Sequence, residues 1–266
     1  TFSSRGWYDF PFLAERIIRE NRQCSSCDLE HPPYATTPDH EFEQQDACPW
    51  IMGEFVWTGF DYLGEPTPWN GVTAGVQGGD WSIAPKNSYF GIIDTAGLPK
   101  DTYYLYQSQW NDSLHTLHIL PAWKNDMVKK DGSGKVKVVV YTDAAGVELF
   151  FTPKGSTTPQ SLGKKTFTKK TTAAGYTYQI YEGEGKSGNT AENLWLSWNV
   201  PYADGTITAK AYDENGNVVS TENWDGRQSV TTTGTAAKLD ASVDRADLSG
   251  KGDLAYVTVS VKDQDG

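Results

Sequence analysis

The stretch Cys48–Gly71 reads CPWIMGEFVWTGFDYLGEPTPWNG. It is apolar, aromatic and acidic at once: Glu54, Asp61 and Glu65 stand among Phe55, Trp57, Phe60, Tyr62 and Trp69. Its first part, WIMGEFVWTG over 50–59, is a continuous apolar run bounded by turn residues, which predicts a strand buried on both faces, as in a parallel sheet. A plain core strand has no use for three carboxylates, and a plain surface loop has none for so many rings. The second part, TGFDYLGEPTPW, therefore predicts a loop that carries a site needing both.

Outward from that stretch the pattern is mixed α/β. Residues 5–23, RGWYDFPFLAERIIRENRQ, place Phe12, Leu13, Ile17 and Ile18 at helical spacing with Arg/Glu pairs between them. An irregular stretch follows, in which TPDHEFEQQ starts like a short capped helix. Helix, loop and buried strand in succession indicate a parallel α/β sheet. Downstream, residues 63–100 are loop-rich, and a long ordered loop inside a compact domain is usually functional. DTYYLYQSQW then reads as a short closing helix.

From His115 the period changes to two. LHTLHIL, KVKVVVYT, GVELFFT, YTYQIYE, LWLSWNV and TITAKAYD alternate or run apolar, with DGSG, KSGN, ADG and ENGN between them. This predicts an antiparallel sandwich of immunoglobulin type, and KLDASVDRADLSGKGDLAYVTVSVKD from Lys238 opens a second. The expected division is residues 1–110 as the tail of an α/β domain, 111–232 as one sandwich and 233–266 as the incomplete start of another. Trp195, Trp198 and Trp224 look exposed, as in a carbohydrate-binding module. Alternation in LWLSW nevertheless puts Leu194, Leu196 and Trp198 on one face and Trp195 on the other, which favours a spacer or interface domain.

Composition narrows the function. The net charge of −11 argues against a nucleic-acid or anionic-membrane partner, and no apolar run is long enough to insert in a bilayer. Aromatic residues make up 13% of the chain. Three cysteines, Cys24 and Cys27 in CSSC and Cys48 apart, form no disulfide framework. With only His31 and His40 nearby they make no zinc site either, so buried or locally paired thiols are expected and no metal. TFSSRGWYDF carries neither the basic head nor the apolar run of a signal peptide, and both ends of the chain read as cuts.

GEFVWTGFDYLGEPTPW resembles the last-strand signature of family 2 glycoside hydrolases, the β-galactosidase and β-glucuronidase group. SSRGWYDFP, SYFGIIDTAGLPKDTYYLYQSQW and VVVYTDAAGVELFF…SLGKK resemble further segments of that family in the same order, over about residues 1–230. The resemblance implies the C-terminal portion of a (β/α)8 barrel, with GEFVW as its eighth strand, followed by immunoglobulin-like sandwiches. Sites in such barrels lie on the loops after the strands. Carboxylates accept hydroxyl protons and rings hold C–H faces, so a sugar site wants both residue types.

The same resemblance implies a retaining glycosidase. That chemistry uses two carboxyl groups about 5 Å apart, one nucleophile and one acid/base. By resemblance the nucleophile lies a few residues before Thr1 and the acid/base further upstream, so the chain holds no catalytic carboxylate. Trp57 is expected against the sugar ring. Glu54, Asp61 and Asn87 are further substrate contacts, with two of them open to another reading: Glu54 as a structural carboxylate, Asp61 with Glu65 as a tie for the loop. Arg5 pairs with a carboxylate in the site or in the structure. The SYFGIID form looks like β-galactosidases, whereas the Asn-x-Lys pair of glucuronidases is replaced by Lys86-Asn87. Phe90 and Gly91 offer no ligand for the ion some galactosidases hold here, and no cofactor is expected. The implied partners are a carbohydrate substrate and the upstream part of the same barrel, and the implied location is secreted or cell-surface. The alternatives are a β-glucuronidase, a β-mannosidase or a non-catalytic carbohydrate-binding or adhesion module.

Overall fold

A computed structural model describes residues 26, 31, 35–65, 87–183 and 192–266. The helix expected over 5–23, Arg5 and the CSSC pair lie outside these. Two helices are described, α1 (Pro38–Ala47) and α2 (Asp101–Trp110). Pro38 opens α1 because its fixed φ suits the first helical position and its missing N–H is not needed there. The cap expected from Thr37 is not made: its hydroxyl donates to Asp39 Oδ1 at 2.7 Å instead of taking a backbone N–H.

The sandwich is built by alternation. Its first sheet orders β1 (Leu117–Leu120), β2 (Lys135–Thr142) and β7 (Leu196–Pro201) as β1-β2-β7, all antiparallel. The second orders β3 (Gly146–Pro153), β4 (Gln160–Thr166), β8 (Gly205–Tyr212) and β9 (Ser229–Thr231) as β4-β3-β8-β9. Val136, Val138 and Val140 of β2 face Val147, Leu149 and Ile207 in one buried core. Val139 and Tyr141 point the other way, into a second buried cluster with Phe42 of α1 and Leu105 and Tyr106 of α2. The first sheet is thus buried on both faces, which is why β2 reads as a run of valines.

The tryptophans follow this two-sided burial. Trp198 lies in the sandwich core and Trp195, fully buried, in the cluster under the helices. Trp224 is half-buried, packed against the core and tilted against His115 at 4.8 Å between centroids. The exposure expected of these rings is therefore corrected: the α1–α2 layer covers Trp195, the facing sheet covers Trp198, and Trp224 packs against the same core.

Three strands were not anticipated: β4, β9 and β5 (Thr168–Thr171), which pairs with β6 (Thr177–Ile180) in a separate hairpin. β4 and β5 are lysine-rich and mostly exposed, and β9 buries only Val230, so none carries a clear inside-outside alternation. The buried strand expected over 50–59 is also corrected. Trp50–Trp57 joins no ladder, and Met52 and Phe55 are fully exposed at 104% each. Among the described residues no strand lies alongside to take its backbone groups. Pairing begins only at Thr58.

The chain divides after Thr231, and residues 232–266 form their own unit. There β10 (Lys238–Val243) and β11 (Val257–Lys262) make an antiparallel hairpin. The pairs Leu239/Val261, Ala241/Val259 and Val243/Val257 share one face, and Lys238/Lys262, Asp240/Ser260 and Ser242/Thr258 the other.

The core assignment has a direct test. Leu149 is fully buried between the sheets, and Leu149→Ala should destabilise by about 2–5 kcal/mol. Val218→Ala, at an exposed position, should stay within about 0.5 kcal/mol. Urea unfolding of both variants checks this.

Candidate functional site

The loop after Trp57 is stitched to a second loop by backbone bonds. Ile92 and Ile93 donate to the carbonyls of Thr58 and Gly59 at 3.2 and 3.0 Å, Asp61 donates to Ile93 at 2.9 Å, and Ser88 donates to Tyr62 at 2.8 Å. The contact is close enough to require glycine at 91. A Cβ there would stand 2.0 Å from the Asp61 nitrogen and 2.3 Å from the Phe60 carbonyl carbon.

One ion pair locks this stitch to the helix that follows. Lys100 Nζ lies 2.8 Å from both carboxylate oxygens of Asp61, and the two side chains are 1% and 5% exposed. The Gly91 amide donates to Asp61 Oδ1 at 2.7 Å. Burial pushes the Asp61 carboxyl up, against the pull of Lys100 and the Gly91 amide. The structure thus gives Asp61 the loop-tying geometry.

Trp57 stands at the open side of the stitch, 67% exposed. Its Nε1 donates to the Tyr62 hydroxyl at 3.2 Å, the two rings sit edge to face at 6.0 Å, and Tyr62 in turn donates to Glu65. Tyr62, itself held by Glu65, therefore orients the indole, which stays largely exposed. A cavity of about 310 Å³ runs beside it, lined by Glu54, Phe55 and Trp57, by Phe90 of the second loop, by Glu41 of α1 and by Thr102 of α2. Partial loss of solvent pushes the Glu54 carboxyl up, and the Glu41 charge adds to it. The Thr102 hydroxyl is buried there without a partner.

Among the expected site residues, Glu54 and Trp57 share this cavity. Asn87 and Asp61 do not line it. Asn87 lies across a bridge from Leu63, half-exposed, and its amide donates to the Ser88 carbonyl at 3.1 Å. Cys48 is a half-buried free thiol.

Both helices beside the site are pinned to the sandwich. On α1, Asp39, Glu43 and Asp46 recur at i, i+4 and i+7, one face of a helix. Asp39 accepts the Asn193 amide at 3.0 Å, Glu43 its side chain at 2.6 Å, and Asp46 the Tyr176 hydroxyl at 3.0 Å. On α2, Asp101 Oδ1 takes His118 Nε2 at 2.6 Å and Arg227 Nη2 at 2.9 Å. Tyr104 stacks on His118 at 3.8 Å. The Arg227 amide donates to His118 Nδ1 at 3.0 Å, so the imidazole is neutral with its proton on Nε2. Burial holds its pKa below the ordinary 6.5, against the pull of Asp101. Neither the Lys100–Asp61 pair nor the Asp101–His118–Arg227 cluster was foreseen.

Residues 133–220 match a family described as a domain of unknown function, DUF4982. The chain is 32% identical over 244 residues to the beta-galactosidase BoGH2A of Bacteroides ovatus, covering 91% of this chain and 23% of the relative. It is 30% identical over 268 residues to a putative beta-glucuronidase of Formosa agariphila, covering 96% and 21%. The chain is thus similar to members of glycoside hydrolase family 2. A crystal structure of a beta-glycosidase from Bacteroides vulgatus superposes on all of this chain and 31% of its own, with a TM-score of 0.66 at 23% identity, a likeness of fold. The chain spans under a quarter of the length of those two curated relatives.

Two outcomes follow. Lys100→Met leaves Asp61 as an unpaired buried carboxylate and should cost about 3–5 kcal/mol, most of it recovered in Asp61→Leu/Lys100→Met. Urea midpoints test the pair. For His118 the folded pKa lies below the unfolded 6.5, so the unfolded chain takes up the proton first as pH falls. The His118 contribution to stability is intact above about pH 6.5 and drains away below it. An NMR titration midpoint at or above 6.5 would rule this out.

Proposed function

We propose that this chain is the end of the catalytic barrel and the following sandwich of a retaining, exo-acting β-galactosidase of family 2. The observation that carries the reading is Trp57: a ring oriented by Tyr62, largely exposed, and sharing a cavity with Glu54. Rings of this kind take the apolar face of a sugar, while carboxylates and amides take its hydroxyls. Trp57 and Glu54 are assigned to the sugar directly and Asn87 to a hydroxyl at the rim. Asp61 acts one step back, by fixing the loop.

The two catalytic carboxyl groups would come from the upstream part of the same barrel, which would also supply ladder partners for Trp50–Trp57. The nucleophile would form a glycosyl-enzyme ester and release the aglycone as the acid/base donates a proton; water would then attack with the acid/base taking a proton back. No metal or cofactor enters this chemistry. The residues described here bind and orient the sugar. The sandwich holds α1 and α2 in place, and β10–β11 with its single apolar face opens a second sandwich. A secreted or cell-surface location belongs to the same reading.

The SYFGIID sequence and the β-galactosidase relative support galactose. The relative named as a putative beta-glucuronidase keeps that sugar as a second reading. The test is a polypeptide carrying the upstream barrel and this chain, assayed on aryl β-galactoside and aryl β-glucuronide. Galactoside should be turned over faster, and Trp57→Ala should lower kcat/KM by about 10- to 100-fold, or roughly 1.4–2.8 kcal/mol. Faster hydrolysis of the glucuronide would replace the sugar. No turnover of either, with sugar affinity in residues 111–266 alone, would make the chain a binding module.

A further inference from the structure

Lys100 and Asp101 are consecutive, yet they are held by opposite sides of the molecule. Lys100 reaches into the site loop. Its ammonium pairs with Asp61, and its backbone N–H donates to Ile92 at 3.0 Å, the residue whose own N–H is bonded to Thr58 beside Trp57. Asp101, 8% exposed, reaches into the sandwich, where His118 of β1 and Arg227 of the turn before β9 share one of its oxygens. Arg227 is fixed in turn, since its Nε donates to the Ile119 carbonyl at 3.0 Å and its backbone N–H to His118. Tyr104, one turn along α2, lies flat on His118. Two adjacent residues with one peptide bond between them therefore join a buried ion pair in the loop to a buried charge cluster in the sandwich.

We propose that His118 and Arg227 are positioning residues for the Trp57–Tyr62 loop, acting through Asp101 and Lys100. The two residues share one planar peptide unit with a single soft dihedral on each side of it, so a shift of the Asp101 backbone is passed on to Lys100. Were Asp101 released, the first turn of α2 would be free to slide along the sheet. The Lys100 ammonium would then leave the 2.8 Å contacts that hold Asp61, and Asp61 carries the Gly91 amide on the same oxygen. The sandwich thereby sets the angle at which the Trp57 ring is presented. That consequence for the sugar rests on the reading of Trp57 given above; the mechanical coupling does not.

The test is backbone hydrogen exchange on this chain, comparing the native protein with Arg227→Ala, Arg227→Lys and His118→Gln. Exchange at the amides of Asp61, Gly91, Ile92 and Ile93 should quicken by about ten-fold or more in Arg227→Ala, with Val138 and Ile207 of the sandwich core within about two-fold of native. Arg227→Lys, which keeps a charge on Asp101, should recover part of the protection. His118→Gln, which keeps a donor, should fall between the native chain and Arg227→Ala, and it carries the test if Arg227→Ala does not fold. Loop amides that stay at native rates while the first turn of α2 quickens would overturn the proposal, as would a uniform rise across loop and sandwich core. The KM for aryl β-galactoside of the same variants, in the polypeptide with the upstream barrel, separates the two readings. Exchange that responds while KM stays flat keeps the coupling and removes the sugar from this loop.

Discussion

The contact between Lys100 and Asp61 is the constraint on which the site region turns. Two opposite charges lie almost out of water, and neither tolerates the loss of the other. Satisfying them fixes how far the loop after Trp57 can stand from the start of α2. Once that separation is set, the backbone bonds between 58–62 and 87–93 close, and the approach at Gly91 becomes too tight for any side chain. The aromatic residues that meet the cavity are arranged around this scaffold. Its stability is electrostatic and geometric, with little buried apolar area of its own.

The apolar support comes from elsewhere. The β1-β2-β7 sheet has two packed faces, one closing the sandwich and one carrying both helices. Phe42 of α1 meets Tyr106 and Trp110 of α2 edge-on at 5.5 Å, over a floor that includes Val139, Tyr141 and Trp195. α1 leads into the Trp50–Trp57 segment and α2 leaves the loop that answers it. A single sheet face therefore holds both flanks of the candidate site, and the carboxylates of α1 and α2 set the register on that face. A sandwich used in this way has its rings committed to packing, which is the physical case against treating it as a sugar binder.

Much of this was legible in the sequence, for reasons that differ by element. The valines of β2, the alternation in LWLSW and the helical run DTYYLYQSQW carry their periods openly, and the structure has strands and a helix there. β4 and β5 could not be read, because both are mostly exposed and β4 turns only Leu162 toward the core, too little to show a pattern. The apolar run at 50–59 misled, because hydrophobicity reports a preference for burial and says nothing of which chain supplies the partner. At the site, Trp57 and Glu54 were visible as a ring and an acid in one stretch. Lys100 was invisible. A lysine before a helix is ordinarily solvated, and only the tertiary approach of Asp61, 39 residues away, makes it a buried partner. Asp101, His118 and Arg227 are likewise far apart in sequence and carry no motif.

The exposed apolar residues between Trp50 and Phe60 carry the last step. Trp50, Met52, Phe55, Trp57 and Phe60 are each more than half exposed within eleven residues, while Trp123, Trp195 and Trp198 are buried. Burying one such side chain stabilises by about 1.5–3 kcal/mol, so leaving five in water forgoes more than the net stability of many domains. A contiguous patch of that size marks a surface that meets something else. Two occupants suit it in different places. Met52 and Phe55 have no polar restraint and want packing, which the earlier strands of a barrel would provide. Trp57 is held by a hydrogen bond to Tyr62 and stays largely exposed, which suits the sugar contact proposed for it. Under the proposed function the same stretch would be a barrel wall at its start and the edge of a binding site at its end, and that division would account for its mixture of rings and carboxylates.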